Sequence, residues 1–374
     1  MPLVRTAVVA ATAAVLLATA GCGKKDHKIS GAKSIKVTLT DGGCVPAPHS
    51  VPAGAFRFDI DSKTTKSTEF ELLKGNKIMG EKENLTKGLS GNFSLRLAEG
   101  EYTAYCPGAK KEKTKFTVTK GTGGASADPA VKAALDAATS QYHDYVVDQA
   151  TQLVANTRAF TDAVRAGDIA KARSLYGAPR LNYERIEPVA ESFGDLDPAI
   201  DARIDDVSDP TKWTGFHRLE KALWADQNLA GTAPVADQLD SDTQKLLEQV
   251  KKETYQPAQL ANGATELLNE VGKTKITGEE ERYSRLDLLD IAANVQGSQQ
   301  AFTFLIPALQ KLDPTLVTTI NDRFATVTGQ VEAHRQGDGY APYTALTPDQ
   351  VKQLSQAVDA VAEPLSTVAG KVTV

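Results

Sequence analysis

Sulfur and imidazole side chains are scarce in this sequence of 374 residues, which has three cysteines, two methionines and five histidines. The H-E-x-x-H pattern of zinc peptidases does not occur, and there is no Ser-His-Asp signature. A haem motif is absent as well. These absences argue against hydrolytic catalysis and against a bound haem.

Strong charge of one sign and long apolar runs are also missing. The formal net charge is −5, and without a basic patch nothing indicates nucleic acid as a partner. Beyond residue 20, no apolar segment is long enough to cross a bilayer. The chain is 41% apolar and 24% charged, with a mean hydropathy of −0.28, as in globular proteins, and it is long enough for two domains.

The amino terminus predicts export. Arg5 and the apolar run after it identify residues 1–21 as a signal peptide. The next residue, Cys22, resembles the lipidated first residue of a bacterial lipoprotein, although Thr19 stands where an aliphatic residue is usual. Lipidation would hold the chain at the membrane surface through a small, polar tether at residues 22–33, whereas plain cleavage would release it. Either outcome places the mature chain outside the cytoplasm, in the periplasm or on the outer face of the cell membrane.

Two cysteines, Cys44 and Cys106, remain in the exported chain. An oxidising compartment makes a disulfide the default expectation. A pair of thiolate metal ligands is the alternative. Both interpretations require the two residues to lie close together.

Residues 34–120 are predicted to form a small β-sandwich. Apolar and polar residues alternate there with a period of two, in short runs separated by glycine-containing turns. The clearest runs are 35–39, 55–60, 93–97 and 115–119. Residues 121–128 are rich in glycine and small residues, which indicates a linker.

After the linker the apolar period changes to that of helices, so residues 129–374 are predicted to be an all-α bundle. Asp128 and Pro129 suit the N-cap and first position of a long helix that ends at Arg165. No convincing strand is predicted after residue 125. Further helices are predicted at about 168–176, 180–193, 215–229, 235–254, 256–271, 278–311, 314–335 and 347–370.

One helical stretch carries a pair of metal-binding residue types. His217 and Glu220 are spaced i,i+3, so a helix beginning after Thr214 as its N-cap places them on one face. Imidazole and carboxylate on one face can share a metal ion. A surface salt bridge or a core histidine is the simpler interpretation of this pair alone.

Acidic residues also gather elsewhere in the helical region. Glu184 and Glu187 form a second i,i+3 pair, and Pro188 is expected to bias Glu187 away from regular helix. Asp201 and Glu280 belong to two further acidic groups. By spacing alone, these acids are typical of helix amino termini and solvated faces.

The stretch Gly215-Phe-His217-Arg-Leu-Glu220 carries the G-x-H-x-x-E signature of the imelysin family, which the helical region resembles. The sequence segments 183–203, 214–226 and 278–297 resemble those of one branch of this family, which provides the extracytoplasmic iron-binding component of bacterial iron uptake systems. Full-length members of that branch have a cupredoxin-like domain before the helical one. The resemblance therefore implies a cupredoxin-like β-sandwich followed by an imelysin-like helical bundle.

The resemblance also implies a metal site and partners. It places Glu187, Asp201 and Glu280 with His217 and Glu220 as iron ligands. Glu184 is a further candidate. One imidazole among several carboxylates suits Fe²⁺ or Fe³⁺ better than soft Cu⁺. The implied partners are a membrane iron permease and a haem-type peroxidase of the same uptake system.

A blue-copper site is not expected in the sandwich, which lacks the second histidine that such a site needs. The resemblance instead points to Cys44, Glu69, Glu71 and Cys106 as ligands for Cu²⁺ or Fe³⁺, and strand alternation puts the two glutamates on one face. A structural Cys44–Cys106 disulfide is the competing interpretation.

Three functions follow from these observations. The first is iron capture outside the membrane and delivery to a permease, without catalysis. The second is a metallopeptidase, since imelysin relatives were classed as peptidases, although Arg218 and Lys221 leave the zinc-peptidase pattern unformed. The third is binding of a polysaccharide or a haem-related ligand between the two domains.

Overall fold

We describe a computed structural model of the chain. It describes residues 32–75, 77–121, 128–190 and 193–373, with only the backbone of Ala190. The predicted signal peptide, the lipidation site Cys22, most of the tether and the centre of the linker lie outside the described residues, so these four stay predictions.

Residues 33–119 form a sandwich of two β-sheets. Its strands are β1 (Lys33–Thr40), β2 (Gly43–Ala47), β3 (Ser50–Pro52), β4 (Gly54–Ser62), β5 (Thr68–Lys74), β6 (Lys77–Leu85), β7 (Ser90–Leu97), β8 (Gly100–Tyr105) and β9 (Lys113–Thr119). One sheet has the order β2-β1-β4-β7 and the other the order β3-β9-β8-β5-β6. The predicted sandwich is confirmed.

The core between the sheets follows from the alternation in the strands. Strand β1 alternates strictly between exposed and buried positions, with Ile35, Val37 and Leu39 inside. Aromatic rings fill the centre, where the Phe58 and Phe93 centroids lie 5.0 Å apart. The four runs with the clearest alternation became β1, β4, β7 and β9.

Residues 129–372 form a bundle of helices. They are α1 (Pro129–Arg165), α2 (Ile169–Ala190), α3 (Leu196–Asp201), α4 (Gly215–Trp224), α5 (Ala233–Val250), α6 (Pro257–Lys273), α7 (Asp287–Leu312), α8 (Pro314–Glu332), α9 (Pro348–Leu365) and α10 (Val368–Val372). Asp128 caps α1 as predicted, because its side chain accepts a hydrogen bond from the Ala130 amide.

Four sequence predictions about the helical region are wrong. The break expected near Pro179 does not occur, and α2 runs through Pro179 and Pro188, so Glu187 lies in regular helix. This helix packs against α1 and α7, and that packing outweighs the local effect of proline. The helix expected from residue 278 begins only at Asp287, after a series of turns. A short hairpin pairs β10 (Arg335–Gln336) with β11 (Gly339–Tyr340), where no strand was expected.

Polar contacts join the sandwich to the bundle. Lys82 on β6 donates a 2.5 Å hydrogen bond to Glu266 on α6, and both side chains are about nine-tenths buried. Asn262, one turn earlier on α6, donates to the backbone carbonyl of Ser94 on β7. Burial makes the ion pair costly to break, because either partner alone would be an uncompensated charge. Among the described residues, no helix is long and apolar enough to span a membrane.

A disulfide joins Cys44 on β2 to Cys106 just after β8, and so links the two sheets. Sixty-two positions separate the two cysteines in the chain. We expect Cys44→Ser with Cys106→Ser to lower the free energy of unfolding by about 2–4 kcal/mol, because the unfolded chain regains loop entropy. Urea unfolding followed by circular dichroism measures this, with the wild type in reducing agent as the matched control. Equal stability with and without the bond would contradict the expectation.

Candidate metal centre

Helix α4 begins at a position that only glycine fits. Gly215 has φ of +83°, and a Cβ atom there would lie 2.2 Å from the carbonyl oxygen of Ile200. The missing side chain lets α4 start directly against the end of α3. This close approach brings His217 on α4 beside Asp201, the last residue of α3.

One edge of the His217 ring is fixed by Glu220. The imidazole is 2% exposed, and its Nδ1 atom lies 3.3 Å from Glu220 Oε2. The other carboxylate oxygen of Glu220 accepts hydrogen bonds of 2.7 Å from the backbone amides of Tyr283 and Ser284. Both oxygens of Glu220 are therefore engaged, and the carboxylate is a fixed acceptor for an Nδ1 proton.

The opposite edge of the ring faces two carboxylates. Nε2 of His217 lies 3.4 Å from Asp201 Oδ1 and 3.6 Å from Glu280 Oε1. Among the described residues, none completes a well-aligned hydrogen bond to this buried nitrogen. Metal–ligand bonds of about 2.0–2.2 Å place neighbouring ligand atoms roughly 3–3.5 Å apart, so these three atoms need little movement to share an ion. A second grouping of the same kind joins His217 with Glu220 and Glu281 on the Nδ1 side.

A fully buried guanidinium lies behind the histidine. Arg180 on α2 pairs with five acids, and none of its side chain is exposed. The acids are Glu184, Asp201, Glu280, Glu281 and Asp290. They come from α2, α3, α7 and the turns before α7, so Arg180 holds four segments of chain around the site.

A buried ammonium contacts the second oxygen of Glu184 and one further acid, Glu187. Lys275 is 1% exposed and lies in the short 3₁₀ turn after α6. Its Nζ atom is 3.0 Å from Glu184 Oε2 and 2.5 Å from Glu187 Oε1. The Asn294 amide donates to the same two carboxylates. Glu184 and Glu187 are thus held by Lys275 and Asn294.

Burial and charge divide the acids of the site into two groups. Burial would raise the pKa of Glu280, but Lys275, a hydrogen bond from His217 and Arg203 outweigh it and lower that pKa well below its usual value. For Glu281, burial and the neighbouring acids Glu220 and Asp290 raise the pKa well above its usual value. Glu280, which faces Nε2, is therefore ionised, whereas Glu281, on the Nδ1 side, favours a proton.

The structure brings most of the predicted ligands together. Three of them, Asp201, Glu220 and Glu280, surround His217. Glu184 and Glu187 form ion pairs with Lys275 instead. The sequence reasoning placed Glu281 in an acidic run without choosing it as a ligand, and it missed four further residues of the site, namely Arg180, Lys275, Asp290 and Asn294. Of these four, Arg180 carried a usable signal, because it lies four residues before Glu184 on one helix face.

In the sandwich, the four predicted residues come from both sheets, with Cys44 on β2, Glu69 and Glu71 on β5, and Cys106 just after β8. The Cys44–Cys106 disulfide takes up both sulfurs, so neither is a thiolate ligand in this state. Glu69 and Glu71 lie on one face of β5 as predicted, and their carboxyl groups are hydrogen-bonded to each other. Burial, followed by the charges of Glu69 and Glu81, raises the pKa of Glu71 to about 8.

Comparison with known proteins gives the class to which this architecture belongs. The model of the imelysin family matches residues 138–368, and that of the cupredoxin-like domain matches residues 10–118. The chain belongs to the imelysin family and carries an additional cupredoxin-like domain before the helices.

The curated relatives identify the group within that family. The chain is 42% identical, over 90% of both sequences, to the iron uptake system component EfeO of Escherichia coli K12 and to that of Shigella flexneri. The crystal structure of a candidate iron-regulated protein A precursor from Parabacteroides distasonis matches with a TM-score of 0.52. That match is 17% identical and covers 64% of this chain and 95% of the other, so it supports the fold alone.

The raised pKa of Glu71 predicts how stability varies with pH. A carboxyl group whose pKa rises on folding stabilises the fold below its unfolded pKa of 4.5, and that contribution is lost as the pH rises through about 8. We therefore expect Glu71→Gln to lose less stability than the wild type between pH 5 and pH 8, measured by thermal unfolding with chelator present. Glu101→Gln, on the exposed face of β8, is the matched control and should behave as the wild type. Parallel pH profiles for Glu71→Gln and the wild type would refute the assignment.

Proposed function

We propose that this chain is the extracytoplasmic iron-binding component of an iron uptake system, which captures iron in its helical domain and passes it to a membrane permease. The observation that carries the proposal is the Nε2 atom of His217, a buried nitrogen that faces Asp201 and Glu280 at distances suited to a shared ion. The iron uptake role of the EfeO relatives supports the choice of metal.

The geometry favours Nε2 over Nδ1 as the metal ligand. On the Nδ1 side, Glu220 is already bound by two backbone amides, and Glu281 accepts hydrogen bonds from Tyr176 and Ser284. Metal-ligating histidines usually donate their other ring N–H to a carboxylate, which fixes the tautomer. We therefore assign His217, Asp201 and Glu280 as ligands and Glu220 as the residue that orients the ring.

The charge of the site suits a hard cation. Seven carboxylates surround His217, Arg180 and Lys275, and each is largely withdrawn from water. Three permanent positive charges, on Arg180, Lys275 and Arg203, cannot balance seven carboxylates, so part of the metal-free site is neutralised by protons, as the raised pKa of Glu281 indicates. A bound iron ion would replace those protons, and its affinity should fall in acid. Asp201, the most exposed of the three ligands at 10% of its side chain, marks the side from which an ion would enter.

The rest of the proposal concerns location and partners. We place the mature chain in the periplasm or on the outer face of the cell membrane, anchored by lipid at Cys22. Its partners would be the permease and a haem-type peroxidase of the uptake system. The chain would bind and transfer iron without cleaving a substrate. In the sandwich, Glu69 and Glu71 would bind Cu²⁺ or Fe³⁺, with Cys44 and Cys106 joining them only after reduction of their disulfide.

We expect His217→Ala to weaken Fe²⁺ binding at least tenfold, a loss of about 1.4 kcal/mol or more, because the site loses its only nitrogen ligand. Anaerobic competition with a chromophoric chelator measures the affinity, and circular dichroism checks that the helices remain. His143→Ala on α1 is the matched control and should bind iron as the wild type does.

Unchanged affinity in His217→Ala would remove the site assignment. The same preparations also test the enzyme alternative, because a peptidase would hydrolyse a casein-type substrate and lose that activity in Glu220→Gln. Iron binding without hydrolysis is the outcome that we expect.

A further inference from the structure

Lys275 occupies a position that resembles a metal site. Its Nζ atom is enclosed by one oxygen each of Glu184, Glu187 and Glu280, at 3.0, 2.5 and 3.6 Å. Carboxylate oxygens from separate segments around one buried cation are the usual environment of a hard metal ion. In this chain the cation is an ammonium group.

This position adjoins the proposed iron site through one shared carboxylate. Oε1 of Glu280 lies 3.6 Å from Lys275 Nζ and also 3.6 Å from His217 Nε2. In helical bundles that hold two metal ions, carboxylates from several helices surround both ions. Here Glu280 would lie between one metal ion and one ammonium group.

We propose that Lys275 fills the second of two cation positions in a single carboxylate cage, and that its ammonium group thereby limits the cage to one metal ion. The inference rests on the proposed iron site at His217. It assigns Lys275 as a residue that determines metal number, although it does not bind the metal. Glu184 and Glu187, which the sequence suggested as iron ligands, then serve to hold this built-in cation.

Replacing the ammonium group tests the proposal. We expect Lys275→Ala and Lys275→Gln to bind two Mn²⁺ ions per chain where the wild type binds one, since Glu187 loses its ammonium partner and Glu184 keeps only Arg180. Glutamine also adds an amide oxygen, which is a suitable ligand for this metal. Equilibrium dialysis with elemental analysis gives the number of ions. Electron paramagnetic resonance should show an exchange-coupled pair in the variants and an isolated ion in the wild type.

Two control variants show whether the number of bound ions depends on the positive charge at residue 275 in particular. Lys273→Ala removes an exposed lysine two residues earlier and should leave one ion bound. Lys275→Arg keeps the positive charge and should also leave one. If both uncharged variants fail to fold, Lys275→Gln with Glu184→Gln removes one negative charge together with the positive one, and it should fold and bind two ions.

The outcomes distinguish this inference from the proposed function. A wild type that binds no Mn²⁺ and no Fe²⁺ contradicts the iron site itself. A wild type that binds one ion, with folded Lys275 variants that also bind one, overturns the role of Lys275 alone. A wild type that shows an exchange-coupled pair of Mn²⁺ ions overturns it as well, whereas a second, uncoupled ion would belong to the sandwich site.

Discussion

The buried guanidinium of Arg180 is the contact on which the architecture of the site depends. It pairs with acids from α2, from the end of α3, from the turns before α7 and from α7 itself. Removing one partner of a buried ion pair costs about 3–5 kcal/mol, because it leaves an uncompensated charge. Several such pairs on one side chain make these segments interdependent. The position of Asp201 beside His217 is therefore fixed by the same residue that holds Glu281 and Asp290 in the interior.

The metal-free protein must keep seven carboxylates together away from water. It does so with the cations of Arg180, Lys275 and Arg203, with hydrogen bonds from Asn294 and from the backbone, and with protons on acids such as Glu281. Arg180 pairs with both carboxylates that face Nε2 of His217, namely Asp201 and Glu280. A site built in this way can accept a cation and later release it as protons return, which suits a protein that delivers metal to a partner.

The sequence predicted the structure correctly where residues recur with the regular period of a strand or a helix. Alternation predicted the main strands, and i,i+3 spacing placed His217 and Glu220 together. It failed where tertiary packing overrides local preference. Pro179 did not break α2, and the glutamate- and arginine-rich stretch before Asp287 suggested helix although it forms turns. Those turns carry Glu280 and the backbone amides that bind Glu220. Because turns have no regular residue period, this part of the site could be predicted only from the family resemblance or seen in the structure.

The interface between the two domains adds a second set of buried charges. Lys82 of the sandwich pairs with Glu266 on α6, and α6 leads directly into the turn that carries Lys275. The sandwich therefore contacts the helix that precedes the built-in cation of the site.

The most direct test of the central claim is a crystal structure of the iron-loaded protein with anomalous scattering recorded at the iron edge. In the helical domain, the account predicts a single iron peak bonded to Nε2 of His217, Asp201 and Glu280, with Nδ1 still on Glu220. Iron bonded to Nδ1, or an iron peak in the helical domain that does not contact His217, would contradict it.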